Sequence, residues 1–256
     1  MAKQLTLLPA LLLGSALVAS TVAVAEPVRT DANLVTAVDL SDSIMRHEEW
    51  LQFEGMAKAL LNPDLLDAVA GGRYGRIGFA LFTWSSEGAF EVIVDWTVIA
   101  SRQDTVRVAM LLRQARPRDR FQFDRPGNDS DLSPPGSARR TDLSTAIDFA
   151  AQLSAAAPFA ARRSVINVLG NGVDNAGVEP DQARDRAVGA GMVINGLAIG
   201  DKRGVGAYFR AHVQGGPGSF VIEVQQPENM ADALLRKFLG DLLAAKDLGI
   251  CVLPSC

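Results

Sequence analysis

Asn33–Leu40 (NLVTAVDL) runs directly into Ser41-Asp42-Ser43, and this stretch decides how the rest of the chain is read. An almost unbroken apolar run ending in a polar cluster is the pattern of a parallel strand covered on both faces, with its carboxyl end open to a loop. Working outward, His47–Leu61 places Trp50, Leu51, Phe53, Met56, Ala57, Leu60 and Leu61 at helical spacing, and Asn62-Pro63 stops it. Arg76–Trp84 (RIGFALFTW) and Phe90–Thr97 (FEVIVDWT) read as strands joined by Ser85-Ser86-Glu87-Gly88. That connection is too short for a helical crossover, so the pair must be antiparallel. Ser101 caps a helix running to about Ala115.

Helical spacing resumes over Asp142–Ala156, followed by a strand at Ser164–Leu169, a helix at Pro180–Ala190 and a strand at Met192–Ile199. A short helix at Val205–Val213, a last strand at Ser219–Val224 and a long amphipathic helix at Pro227–Ala245 complete the pattern. The last helix turns Met230, Leu234, Leu235, Phe238, Leu239 and Leu242 inward. Six strands alternating with helices predict one three-layer, doubly wound α/β domain over 26–250, with a mostly parallel sheet and one antiparallel strand. No repeat of solenoid period is present. Residues 117–140, rich in Arg, Asp, Pro and Gly, lack the apolar residues of a core and read as an exposed loop insertion.

The chain has 256 residues, 48% hydrophobic and 21% charged, with a formal net charge of −4. This balance excludes a disordered acidic tail, a fibrous repeat and a polytopic membrane protein. A sequence pI of 5.3 gives no general attraction to nucleic acid. Residues 1–25 carry one charge, Lys3, then a Leu/Ala/Val run ending in Ala23-Val24-Ala25, the small-x-small pattern of signal-peptidase cleavage before Glu26. Export to a bacterial periplasm or beyond is expected, with an uncleaved anchor as the competing reading. Removing Lys3 takes the mature charge from −4 to −5. Cys251 and Cys256, the only cysteines, argue against a Cys/His zinc site. In an oxidising compartment they could close a small terminal ring; a free pair or an intermolecular bond are the alternatives.

In open α/β sheets, ligands bind beyond the carboxyl ends of the strands, near the switch in strand order. Three polar clusters fall there: Asp39-Leu40-Ser41-Asp42-Ser43, Thr141 at a helix start, and Gly170-Asn171-Gly172-Val173-Asp174-Asn175 after a strand. Singly, each has an ordinary explanation as a helix cap or turn. Jointly they supply hydroxyls, a carboxamide and carboxylates, the hard oxygens that a divalent cation takes.

With Asp39-x-Ser41-x-Ser43 and the Thr141 loop (RTDLSTAI) in view, the chain resembles a von Willebrand factor type A domain over roughly Asn33 to Ala245. More narrowly, it resembles a family of uncharacterised exported bacterial proteins with this domain, through VDLSDSI, YGRIGFALFTWSS, RSVINVLGNGVDNAG, GMVINGLAI and QGGPGSFVIEV. The resemblance implies a metal-ion-dependent adhesion site built from Asp39, Ser41, Ser43, Thr141 and Asn171, holding Mg²⁺ (or Mn²⁺ or Ca²⁺). It further implies an open coordination position for an acidic side chain of a partner protein. Asn171 departs from the pattern: an aspartate usually stands there, and a carboxamide can hold a water but adds no charge. Asp174 and Asp42 are candidates to compensate.

The expected function is therefore a non-enzymatic binding module, with a metal-free scaffold of the same fold as the alternative. A Ser-His-Asp hydrolase would need His47 or His212, the only histidines, beside Ser41 or Ser43, and the G-x-S-x-G elbow is absent. Gly170-x-Gly172 lacks the remaining features of a nucleotide-binding loop.

Overall fold

Every residue of β2 (Asn33–Asp39) is buried, as a strand covered by helices on both faces requires. The computed structural model describes residues 26–41, 44, 46–85, 90–115, 141–176, 178–200 and 204–247. The leader segment, the 117–140 insertion, Asp42, Ser43, Cys251 and Cys256 lie outside the described residues.

The remaining strands of the main sheet are β3 (Ile77–Trp84), β4 (Phe90–Ile99), β6 (Ser164–Gly170), β7 (Met192–Ile199) and β8 (Val221–Val224), in the spatial order β4-β3-β2-β6-β7-β8. All neighbours run parallel except β3 and β4. The expected six-stranded α/β sheet is thus formed, with β4 its antiparallel edge strand.

Alternation along the strands sorts the core into two layers. Leu34, Val38, Phe79, Leu81, Val165, Leu169 and Leu197 face α1 (Arg46–Leu61), α2 (Pro63–Ala70), α3 (Arg102–Gln114) and α7 (Met230–Asp247). Val35, Ala37, Phe82, Trp84, Ile166, Val168 and Ile194 face α4 (Leu143–Ala155), α5 (Asp181–Gly189) and α6 (Val205–Tyr208). Across the layers, Phe79 meets Phe238 edge-on at 6.1 Å, and Phe82 meets Phe149 at 4.7 Å.

Four differences from the sequence reading have local causes. Asn62 and Pro63 end α1 but also start α2: the Asn62 side chain accepts from Asp64 N–H, and Pro63 occupies the first helical turn. A second, two-stranded parallel sheet joins β1 (Val28–Thr30) to β5 (Phe159–Ala161), segments too short to show a period. The helix expected at Val205–Val213 is a single α-turn, α6, followed by a π-helical turn at Phe209–Val213. Finally, the inward face of α7 includes Lys237 and Asp241, both fully buried, beside Met230, Leu234, Phe238 and Leu242.

Candidate metal centre at the carboxyl edge of the sheet

The chain reverses its direction of travel across the sheet at β2, whose neighbours are β3 on one side and β6 on the other. The crevice at this switch point is where the carboxyl ends of β2 and β6 lie side by side, and Asp39 closes β2 there. Its carboxylate is fully buried, and Oδ1 accepts the Ser41 backbone N–H at 2.7 Å. This Asx-type turn aims the chain out of the strand and folds Ser41 back over the carboxylate.

Thr141 arrives from a segment distant in sequence. Its hydroxyl donates to Ser41 Oγ at 3.5 Å, although the two residues are 100 positions apart. A helix-cap role for Thr141 is excluded by the adjacent geometry. Asp142 is the cap of α4, accepting Thr145 N–H at 3.0 Å, so the Thr141 hydroxyl is left to face the crevice.

The third loop is locked onto this helix start. Thr141 N–H donates to Asn175 Oδ1 at 2.8 Å, and Asn175 N–H returns a bond to the Thr141 carbonyl at 3.0 Å. Asp174 accepts Leu143 N–H at 2.7 Å and Ala176 N–H at 3.0 Å. Burial pushes the Asp174 carboxyl above its usual range, and nearby Asp142 adds to this, while the backbone N–H groups partly offset both. Both Asp174 oxygens are therefore committed to backbone donors that fasten the loop. Asn171 itself is buried in the same loop.

Gly170 permits a close approach, while Gly172 stands at ordinary contact distance. A methyl group on Gly170 would stand 3.3 Å from Asp39 Oδ2 and 3.3 Å from the Phe209 ring; one on Gly172 would stand 3.6 Å from Thr141 Oγ1. The structure thus brings together Asp39, Ser41, Thr141 and the Asn171 loop. Ser43 falls outside the described residues. The donor set is one carboxylate, hydroxyls and a carboxamide, with no nitrogen or sulfur base; it suits a hard divalent cation and leaves the negative charge low.

Among the described residues, neither histidine has a partner at this edge. His47, in the first turn of α1, is exposed and stacks on Trp50 with ring centroids 6.3 Å apart. His212, in the π-turn, pairs through Nδ1 with Asp181 at 2.8 Å and lies against Tyr208 at 4.5 Å. The hydrogen bond from His212 holds Asp181 below the usual carboxylate range. With Glu179 these residues form a group whose ligand atoms lie within 4.8 Å of one another, the one such group among the described residues. Arg184 pairs with Asp181 at 2.9 Å, so a cation already occupies part of it. The Tyr208 hydroxyl is pushed up to about 12, chiefly by burial, and donates to Glu179 at 3.4 Å.

The fold has solved counterparts. The von Willebrand factor domain of the type V pili tip protein Mfa5 from Porphyromonas gingivalis superposes with TM-score 0.53 at 12% identity, covering 91% of this chain and 99% of that one. The pilus adhesin SpaC from Lactobacillus rhamnosus GG gives 0.55 at 12% identity, covering 84% and 31%. Proximal thread matrix protein 1 from the mussel byssus, in a structure with a zinc-occupied MIDAS motif, gives 0.51 at 15% identity, covering 86% and 50%. The chain therefore spans about half the length of the mussel protein and under a third of SpaC. At these identities the likeness concerns the fold. A search of curated protein sequences finds no match. The chain has the von Willebrand factor A-type fold and, by a family match over residues 29–246, belongs to the family described as "Protein of unknown function (DUF1194)".

Proposed function

We propose that this protein is an exported, non-enzymatic binding module. Asp39, Ser41, Ser43, Thr141 and Asn171 would hold Mg²⁺, or Mn²⁺ or Ca²⁺, at the carboxyl edge of the sheet. The metal would supply an open coordination position for an acidic side chain of a partner protein. The observation that carries this reading is the meeting of the Ser41 and Thr141 hydroxyls at 3.5 Å next to the buried Asp39 carboxylate. Export is supported by the leader pattern of residues 1–25 and by relatives of this fold that are pilus and byssus proteins. Among the described residues no helix is long and apolar enough to cross a membrane.

One carboxylate and neutral oxygens imply affinity at the weak end, with a Kd of roughly 10⁻⁴–10⁻³ M, as in extracellular modules. At metal concentrations ten to a hundred times the Kd, binding stabilises the fold by about 1.4–2.7 kcal/mol. Titration calorimetry and thermal melts with Mg²⁺ and Mn²⁺ should show this response in wild type and lose it in Asp39→Ala. A wild type that is silent at ten times this Kd, about 10⁻³–10⁻² M metal, removes the reading.

A second reading, a metal-free scaffold of the same fold, is favoured by Asn171, a buried side chain that carries no charge. Asn171→Asp separates the two. A gain in divalent affinity means that the native site is a weakened metal site, and no gain supports the scaffold.

A further inference from the structure

The polar row beneath α7 plays no part at the metal edge, yet all four of its side chains are fully buried. Asn167 of β6 and Asn195 of β7 are register partners, and both are fully buried. Lys237 and Asp241, one turn apart on α7, lie against them with 0% side-chain exposure. Lys237 Nζ donates to Asn167 Oδ1. Asn167 Nδ2 donates to Asp241 Oδ2 at 2.8 Å, and Asn195 Nδ2 donates to Asp241 Oδ1 at 2.7 Å. Asn195 Oδ1 accepts the Phe220 N–H at 2.8 Å, and the Phe220 ring lies 5.1 Å from Lys237 Nζ. Lys237 Nζ stands 3.6 Å from Asp241 Oδ1.

Away from water, an ammonium and a carboxylate are both costly, and the neutral pair gains relative to the charged one. Burial pushes the Lys237 amine down to about 8 and the Asp241 carboxyl upward. An uncharged, desolvated lysine is a nucleophile. Contact with Oδ1, one C=O bond of ~1.23 Å from Cγ, keeps Nζ within about 4 Å of that carbon. Rigid packing holds the two groups adjacent, which lowers the entropic cost of bringing them together. Asn195 is less suited as the electrophile, because both ends of its amide are engaged with Phe220 and Asp241.

We propose that Lys237 and Asn167 condense into an intramolecular amide that ties α7 to the centre of the sheet, with Asp241 as proton carrier and ammonia as the leaving group. Asp241 takes one proton from the Lys237 ammonium. The Nζ lone pair then attacks Asn167 Cγ, forming the new C–N bond. Asp241 returns its proton to Nδ2 as the Cγ–Nδ2 bond breaks and ammonia leaves. The carboxylate finally takes the surplus proton from Nζ, leaving a neutral amide and a protonated acid. No oxidant or co-reactant is consumed.

The test is peptide mapping by mass spectrometry, with circular dichroism, on the full chain purified in its folded state. The expected wild-type result is a branched peptide linking Lys237 to Asn167, short by one ammonia, with no tryptic cleavage after Lys237. Lys237→Met and Asn167→Ala should show no link. Asp241→Asn, matched to wild type in shape, should fold with wild-type circular dichroism and remain unlinked. The proposal is overturned if folded wild type is cleaved normally after Lys237, or if Asp241→Asn links as fully as wild type. It is equally overturned if the deficit is one water, which would mark a Lys237–Asp241 bond. An ammonia deficit confined to Asn171-Gly172, the signature of a succinimide, also overturns it.

Discussion

Asp174 shows how one side chain can shape a site without entering it. Its carboxylate holds the first residues of α4 and its own loop through Leu143 N–H and Ala176 N–H. Removing the acceptor leaves buried donors unsatisfied, which costs about 1–3 kcal/mol. Asp174→Ala should lower stability by that order and weaken the metal response, because Thr141 depends on the same loop. The pH dependence has a definite sign. Burial raises the folded-state value above the usual 3.8. Stability from this group is therefore fully present below 3.8 and declines as pH rises through the folded-state value. Chemical denaturation of wild type and variant should show a larger deficit at acid pH than at neutral pH. Sequence reading reached Asp39, Ser41, Ser43, Thr141 and Asn171 because polar clusters at strand ends are local signals, and their resemblance to an adhesion-type metal site implied the ligand set. It left the direction of Asp174 open, since the Leu143 donor it meets lies 31 positions away. Lys237 and Asp241 were hidden for another reason: an i, i+4 Lys/Asp pair on an amphipathic helix ordinarily marks the wet face.

The π-turn Phe209–Val213 and α5 form a unit whose connection rests on charge. His212 bonds to Asp181, and Arg184 reaches both Asp181 and the Ala211 carbonyl, the latter at 2.7 Å. The His212 hydrogen bond depresses the Asp181 carboxyl, so the stability it contributes is present above 3.8 and lost as pH falls through the depressed value. Asp181→Asn should flatten the acid limb of a pH-stability curve while leaving neutral-pH divalent binding unchanged; an unaltered acid limb removes this assignment. The elements with long apolar periods, β2, β3, β6, β7 and α4, were legible from sequence. The π-turn was not, because its wider spacing adds a residue that an α-period absorbs without a visible break. The β1–β5 pair escaped for want of length, and α2 because Asn62-Pro63 signals a stop and a start with the same residues.

Across the whole molecule, the candidate metal site and the contacts that tie in the small sheet sit at opposite ends of the parallel strands. At the amino edge, Thr30 Oγ1 donates to Asn33 Oδ1 at 2.8 Å, and Asn33 Nδ2 donates to the Phe159 carbonyl at 3.1 Å. These bonds tie the small β1–β5 sheet to the start of β2. Beside them, the Asp31 carboxylate accepts Tyr74 N–H at 3.0 Å and Arg76 N–H at 3.4 Å, setting the entry into β3. The seven residues of β2 at ~3.3 Å each put Asp39 about 20 Å from this edge. Asp31→Ala leaves those donors short of an acceptor and should destabilise the fold by about 1–2 kcal/mol. Because a rigid strand separates it from the crevice, it should leave the fitted metal affinity as in wild type once melting is subtracted. Asp39→Ala should do the reverse to affinity. Paired calorimetric titrations and denaturant melts on the two variants decide the matter. If Asp31→Ala loosens metal binding as strongly as Asp39→Ala, the sheet transmits strain along its length, and the site is not a local property of the carboxyl edge.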